Sequence, residues 1–486
     1  NAGRWTVLML AGLGVLLALR LAALRVNGTD LFFDEAQYWS WSLEPAFGYY
    51  SKPPLVAWLI RAATEVCGMG EACVRSPSPL VHTGTALAVF LLGRHLYDTR
   101  IGALSALAFA TLPGVSLSAG IISTDVPLLF AWALALFAFV RLFDTKSVWP
   151  ALLLGLALGI GLNAKYAMLW FVLCAGVYFW VTPERRGMLR DWRLWLALAI
   201  GLGLLVPNII WNAQHSFATV GHTADNANWQ GGLIHPLKAL EFLGAQLGVF
   251  GPVLFIALLV LTWRVWHEGA PEADRLLLAF AWPVLAIIIV QAFISRAHAN
   301  WAGVSYIAAT VLVVATMVRM LDWGWLKASF AVHVLAVLLL AAGAALAGRA
   351  ALPLKLEPYA RTLGWRAFAD ATRAELDAAR KAGRPYGAVL TDDRALTAEL
   401  LYYMRGEPTP VEAWRSGGKP HDHYELTRPF TGARPDPILL VSIKPDAARI
   451  PASFQKAEKI AERELPAGRN ATRNVTLYAL SGYSRK

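Results

Sequence analysis

Charge is scarce in this chain. Only 16% of its 486 residues are Asp, Glu, Lys or Arg, against 57% hydrophobic, and mean hydropathy is +0.47. That balance excludes an ordinary soluble enzyme of this length. Nucleotide machinery is missing too: there is no Walker-type loop and no GxGxxG following a strand, which excludes chemistry on a bound nucleotide donor. Cysteine is almost absent, with three residues. Cys67 and Cys73 share the stretch "CGMGEAC", whose spacing allows a small disulfide loop in an oxidising compartment or leaves two free thiols. Cys174 lies in an apolar run and reads as filler.

Long apolar runs are what the sequence has instead. They fall at roughly 5–25, 79–97, 101–117, 124–142, 147–163, 165–182, 193–211, 244–263, 276–294, 301–319 and 326–348. The expected fold is a polytopic α-helical membrane protein with about eleven spans, between nine and thirteen, and a soluble C-terminal α/β domain. The first run lacks a small-residue cleavage site and precedes many others, so it reads as a first span and not a signal peptide. Since the chain opens on Asn1, a few residues are expected to precede it.

The net charge of +11 follows topology and not nucleic acid. With the N-terminus in the cytoplasm, the cytoplasmic connections hold Arg94, Arg100, Arg141, Lys146, Arg185, Arg186, Arg190, Arg193, Arg264, Arg275, Arg319 and Lys327. The external side has few cations for its length: Lys52, Arg61, Arg75, Lys165, Lys238 and Arg296. This orientation puts segment 26–78, the connection 212–243 and everything after 349 outside. The expected domains are a membrane domain over 1–348, including the loop 26–78, and an external α/β domain over 349–486. In the latter, "YGAVLT" (386–391) and "DPILLVSI" (436–443) read as strands and "RALTAELLYYM" (394–404) as a helix. Gly417-Gly418 marks a loop. The domain reads as a structural cap or as a lid.

The chemistry-bearing residues gather on the external face. "LFFDEAQYW" (31–39) sets Asp34 and Glu35 between aromatics at the end of the first span, where a carboxylate is costly and can serve as a general base. The alternative is a solvated helix start, with both acids at the positive end of the helix dipole. Asp125, in "IISTDVPLL", either caps a helix or orients an acceptor, and with Glu35 it is a possible ligand of a divalent cation. Lys52 in "GYYSKPP", Lys165 in "LNAKYAM" and Arg296 in "SRAHANW" each stand at an external helix end. They read as phosphate-binding groups or, most readily for Lys165, as snorkelling cations. Trp39, Tyr49, Tyr50 and Ser51 are candidate groove residues, as are His298 and Asn300, while "HTADNANWQGG" (222–232) offers Asn228, Trp229 and Gln230 for gripping a sugar.

At this point the sequence resembles a known group. "DLFFDEAQYW", "GYYSKPPLVAWLI", "ISTDVPLL", "NAKYAM" and "RAHANW" are similar to motifs of the GT-C glycosyltransferases of the family 39 type, which include protein O-mannosyltransferases and lipid A aminoarabinose transferases. The resemblance implies an inverting transferase that takes a sugar from a polyprenyl-phosphate donor outside the membrane. It makes Asp34 the first-loop catalytic acid, Lys52 the lysine near the donor phosphate and Asp125 the acid of the second external loop. One position departs: relatives commonly carry an acid just before the lysine, and here it is Ser51. The expected protein is a monomeric enzyme of a bacterial inner membrane. Its active site is expected to be periplasmic, with a lipid A or other envelope-glycan acceptor. Alternatives are a protein O-mannosyltransferase-like enzyme, a polyprenyl-lipid flippase and a non-catalytic glycan-binding protein. A flippase favours charges deeper within the spans, and these cluster on one face.

Overall fold

The computed structural model describes residues 2–229, 232, 234–349, 357–415, 417–444 and 449–484. The chain divides into two compact units, one of residues 2–25, 52–59 and 75–341, the other of 26–51, 60–74 and 342–486. Residues 26–51 and 60–74 group with the tail.

The first unit is helical. Among the described residues, five helices are long and apolar enough to cross a bilayer: Ala2–Val26, Asp125–Asp144, Trp192–Gln214, Glu272–Ile294 and Trp323–Leu346. The pair Pro236–Phe250 and Pro252–Val265 makes a sixth if counted as one span, although it bends by 114°. The count of eleven is thus not confirmed. Several expected runs fall on shorter helices, Trp149–Ala164, Tyr166–Val181 and Ser305–Arg319. At ~1.5 Å per residue such helices fall short of the ~30 Å of a hydrocarbon core.

Two glycines set this packing. Gly251 occupies the bend at φ +88°, and a Cβ there would stand 2.6 Å from His333 Nε2. Both the backbone conformation and the neighbour therefore demand glycine. Gly155 lets Trp149–Ala164 lie directly on Trp192–Gln214, since a Cβ would meet Ala197 O at 2.8 Å. The helix so placed delivers Lys165 at its C-terminus. Deeper in, Trp132, Phe139, Phe171 and Phe280 meet edge-on or tilted in a shared core.

The second unit is built on a five-stranded sheet with β1 Ala388–Thr391, β2 Val411–Ala413, β3 Ile438–Ser442, β4 Phe454–Pro466 and β5 Thr472–Tyr483. Its order is β2-β1-β3-β5-β4; β1 pairs parallel with β2 and β3, and β5 antiparallel with β3 and β4. Every residue of β1 and β3 is buried, as expected of central strands covered on both faces. Helices Trp365–Lys381 and Arg394–Tyr403 pack against the sheet, and the latter also packs against helix Phe33–Leu43.

Backbone and side-chain hydrogen bonds sew the first loop to the tail. Trp365 N donates to Asp30 Oδ2 (2.9 Å), Leu31 N to Tyr403 Oη (2.8 Å) and Tyr402 Oη to Met69 O (2.8 Å). Tyr403 Oη also donates to Glu71 Oε1, which Arg366 approaches to 2.6 Å. Cys67 and Cys73 are joined by a disulfide that closes this stretch, with Cα atoms 5.9 Å apart.

Candidate functional site

In the helical unit, Asp125 is the first residue of helix Asp125–Asp144. Thr124 precedes it without a side-chain capping bond, and the Asp125 oxygens reach other segments instead. Lys165 Nζ donates to Oδ1 at 2.7 Å and Asn300 Nδ2 to Oδ2 at 2.5 Å. The side chains of Asp125 and Lys165 are 16% and 20% exposed, so the ion pair is largely withdrawn from solvent. Lys52 acts electrostatically on the same carboxylate. The structure therefore brings Asp125, Lys165 and Asn300 into one hydrogen-bonded cluster, with the Lys52 charge acting on the same carboxylate.

The turn that carries Asn300 is itself anchored. Gln291 Nε2 donates to Ala227 O (2.9 Å) and Arg296 O (3.1 Å), while its Oε1 accepts from Trp229 Nε1 (2.8 Å). Ser295 Oγ donates to Asn228 O at 2.7 Å, and Asn228 stands in the left-handed region at φ 50°. His298 lies edge-on to Trp301, and the Arg296 side chain is exposed. Gln230, expected with Asn228 and Trp229, lies outside the described residues. Asn228 and Trp229 here fasten one connecting segment to another.

In the second unit, Asp34 sits in the first turn of helix Phe33–Leu43. Arg394 Nη1 donates to Asp34 Oδ1 at 2.9 Å and to Gln37 Oε1, one turn on, at 2.9 Å. Its guanidinium also lies 4.9 Å from the Phe33 ring centroid. Glu35 points elsewhere: it is 1% exposed, and its Oε2 accepts from Phe32 N at 2.8 Å, capping the helix that bears Asp34.

The aromatics of the first loop are packed. Trp39 meets Tyr402 edge-on and donates to Met69 Sδ; Tyr49 stacks on Trp41 at 4.6 Å and donates to Trp41 O. Both are at most 3% exposed, so they brace the loop from within and do not line an open groove. Burial pushes the Tyr49 phenol up to about 12, keeping it a neutral donor. Tyr50 Oη donates to Pro420 O at 2.9 Å, and Ser51 is buried. His423 lies edge-on to Trp41 and Tyr49, with Nδ1 buried and unbonded; burial and then Arg428 lower it to about 3. Among the described residues no three His, Cys, Asp or Glu side chains gather to hold a metal, and Glu35 and Asp125 belong to different units.

Sequence reasoning missed Arg394, Gln37 and Gln291. It also missed a polar ladder beside Lys165, where Tyr166 Oη donates to Asn208 Oδ1 (2.6 Å) and Asn212 Nδ2 to Tyr166 Oη (3.1 Å). Two asparagines one turn apart in an apolar helix are a legible signal, because amides there need partners. Arg394 has no such signal. It is 360 residues from its partner.

Known proteins share this architecture. A family model described as dolichyl-phosphate-mannose-protein mannosyltransferase matches residues 51–211. The lipid A galacturonosyltransferase RgtD of Rhizobium johnstonii is 35% identical over 408 residues, 84% of each chain. The lipopolysaccharide core galacturonosyltransferase RgtA of the same organism is 33% identical over 37% of each chain. Among solved structures, ArnT of Cupriavidus metallidurans bound to undecaprenyl phosphate superposes with a TM-score of 0.65 at 16% identity, covering 98% of both chains. The fold is thus that of a GT-C membrane glycosyltransferase. The chain belongs to the family 39-type GT-C glycosyltransferases, together with the galacturonosyltransferase RgtD.

Proposed function

We propose that this enzyme transfers a galacturonosyl group from a polyprenyl phosphate to lipid A, on the periplasmic face of a bacterial inner membrane. The substrate assignment is supported by the full-length similarity to RgtD, and the lipid-phosphate donor by the undecaprenyl phosphate bound to ArnT. The observation that carries the mechanism is the state of Asp34. One of its oxygens is held by Arg394, and among the described residues nothing bonds the other.

In this reading Asp34 Oδ2 accepts the proton of an acceptor hydroxyl. That oxygen attacks the anomeric carbon in line, with inversion, and the bond from carbon to phosphate oxygen breaks. The polyprenyl phosphate leaves with the electron pair, so no general acid is needed. Lys52 and Lys165, with Arg296, stabilise the charge that grows on phosphate, an effect of about 3 kcal/mol for a well-placed donor. Asp125 fixes Lys165 and Asn300 and is not itself a base, since both its oxygens are engaged. Glu35 caps its helix and takes no chemical step.

Purified protein given radiolabelled polyprenyl-phosphate galacturonate and lipid A should yield labelled lipid A. Label passing to a peptide instead would favour a protein acceptor. Labelled donor crossing a vesicle membrane without transfer would favour a flippase.

A further inference from the structure

Arg394 is the one tail residue recorded on the Asp34 carboxylate among the described residues, and its own placement is fixed three ways. It opens helix Arg394–Tyr403, whose N-cap Asp393 accepts from Ala395 N (2.8 Å) and Leu396 N (3.2 Å). One nitrogen of its guanidinium bridges Asp34 Oδ1 and Gln37 Oε1 on a single face of helix Phe33–Leu43. Phe33 covers the guanidinium plane. Such an arrangement fixes direction as well as charge, because the two N–H groups of one nitrogen lie in the guanidinium plane and donate to the two oxygens at once. An ion pair whose side chains are 35% and 36% exposed adds little to stability, so fold maintenance alone does not account for this construction.

We propose that Arg394 is a positioning residue for catalysis: it holds Asp34 Oδ1 so that Oδ2 stays presented to the acceptor hydroxyl. The inference rests on the reading of Asp34 as the base. It gives the C-terminal residues a share in the chemistry beyond covering the loop. Arg394 itself touches no reacting atom. Its loss lets the carboxylate rotate about χ1 and χ2, so fewer encounters find the acceptor proton within hydrogen-bond reach.

The test compares Arg394→Ala, Arg394→Gln, Arg394→Lys, Asp34→Asn and the double variant Asp34→Asn/Arg394→Ala, all as full-length purified protein with labelled donor. Misplacing a catalytic group by about 1 Å costs up to ~100-fold, so Arg394→Ala should lose about 10- to 100-fold in kcat. Donor KM should stay within roughly twofold, because donor contacts are untouched. Arg394→Lys should recover part of the loss, and free guanidinium should partly restore Arg394→Ala but not Asp34→Asn. In the Asp34→Asn background, Arg394→Ala should cost nothing more. Should Arg394→Ala fail to fold, Arg394→Gln, whose shorter uncharged side chain does not reach Oδ1, supplies the same comparison. Normal turnover of the Arg394 variants beside an inactive Asp34→Asn overturns the positioning role alone. Losses that add in the double variant overturn it as well. An active Asp34→Asn removes the base assignment, and the positioning role falls with it.

Discussion

Two aspartates look alike in the sequence, each in the first turn of a helix beside apolar residues, and the structure treats them oppositely. Asp125 has both oxygens bound, by a lysine and an amide from two separate segments. Asp34 has one oxygen bound and, among the described residues, one open. A saturated carboxylate is a structural hub: it organises cations, and any proton it took would cost it a bond. A half-bound carboxylate keeps a direction and a vacant lone pair, which is what proton transfer needs. Occupancy of the oxygens separates scaffold from reagent here, where neighbouring residue types do not.

Replacing each acid in turn tests that contrast, and the largest effect belongs to Asp34. Asp34→Asn should lower kcat by about 10³-fold with little change in thermal stability or donor KM, as expected on deleting a general base. Near-normal turnover would erase the distinction. Asp125→Ala should act differently, leaving Lys165 and Asn300 without their shared partner. It should raise donor KM and destabilise the protein by about 2–3 kcal/mol, below the usual buried-pair cost because some solvent contact remains. A fall in kcat alone, with stability intact, would make Asp125 a reagent after all. Lys52→Ala should lower kcat/KM for the donor by about 100-fold, with a fall in kcat as well as a rise in donor KM, because the charge that Lys52 meets grows in the transition state. An unchanged donor response would remove Lys52 from the phosphate site.

The smallest effect concerns stability in the unit that bears Asp34. The folded His423 titrates near 3, below its ordinary value of 6.5, because burial and Arg428 disfavour its charged form. Below 6.5 the unfolded chain binds a proton that the folded ring refuses. Stability should thus be full above 6.5 and decline as pH falls towards 3. Thermal unfolding at about pH 7.5 and about pH 5 should show a drop that His423→Gln reduces; equal slopes for both proteins would refute the assignment.

Much of this could be read in the sequence. Hydropathy and the one-sided distribution of cations give a polytopic protein, and "GYYSKPP" with "LFFDEAQYW" marks the first loop as unusual. Strands at "YGAVLT" and "DPILLVSI" were legible because the first alternates and both are short runs set off by turn residues. The count of eleven spans is not confirmed, and windows of apolar residues do not reveal where a run bends, as one does at Gly251. Nor was the packing of Trp39 and Tyr49 legible: aromatics beside a cation read equally well as a binding ledge or as a brace. Arg394 lay beyond reach, because periodicity reports a residue's own element and not its partner 360 positions away.

The interleaved second unit bears on how the protein is made. Its first pieces, 26–51 and 60–74, leave the ribosome early, whereas β5 ends at Tyr483. At about 5–20 residues per second the early loop waits roughly 20–80 seconds for the strands and helices that cover it. During that interval Trp39, Trp41 and Tyr49, buried in the finished molecule, have no tail to bury them. A nascent chain stalled before the sheet is complete would thus leave the same three rings exposed.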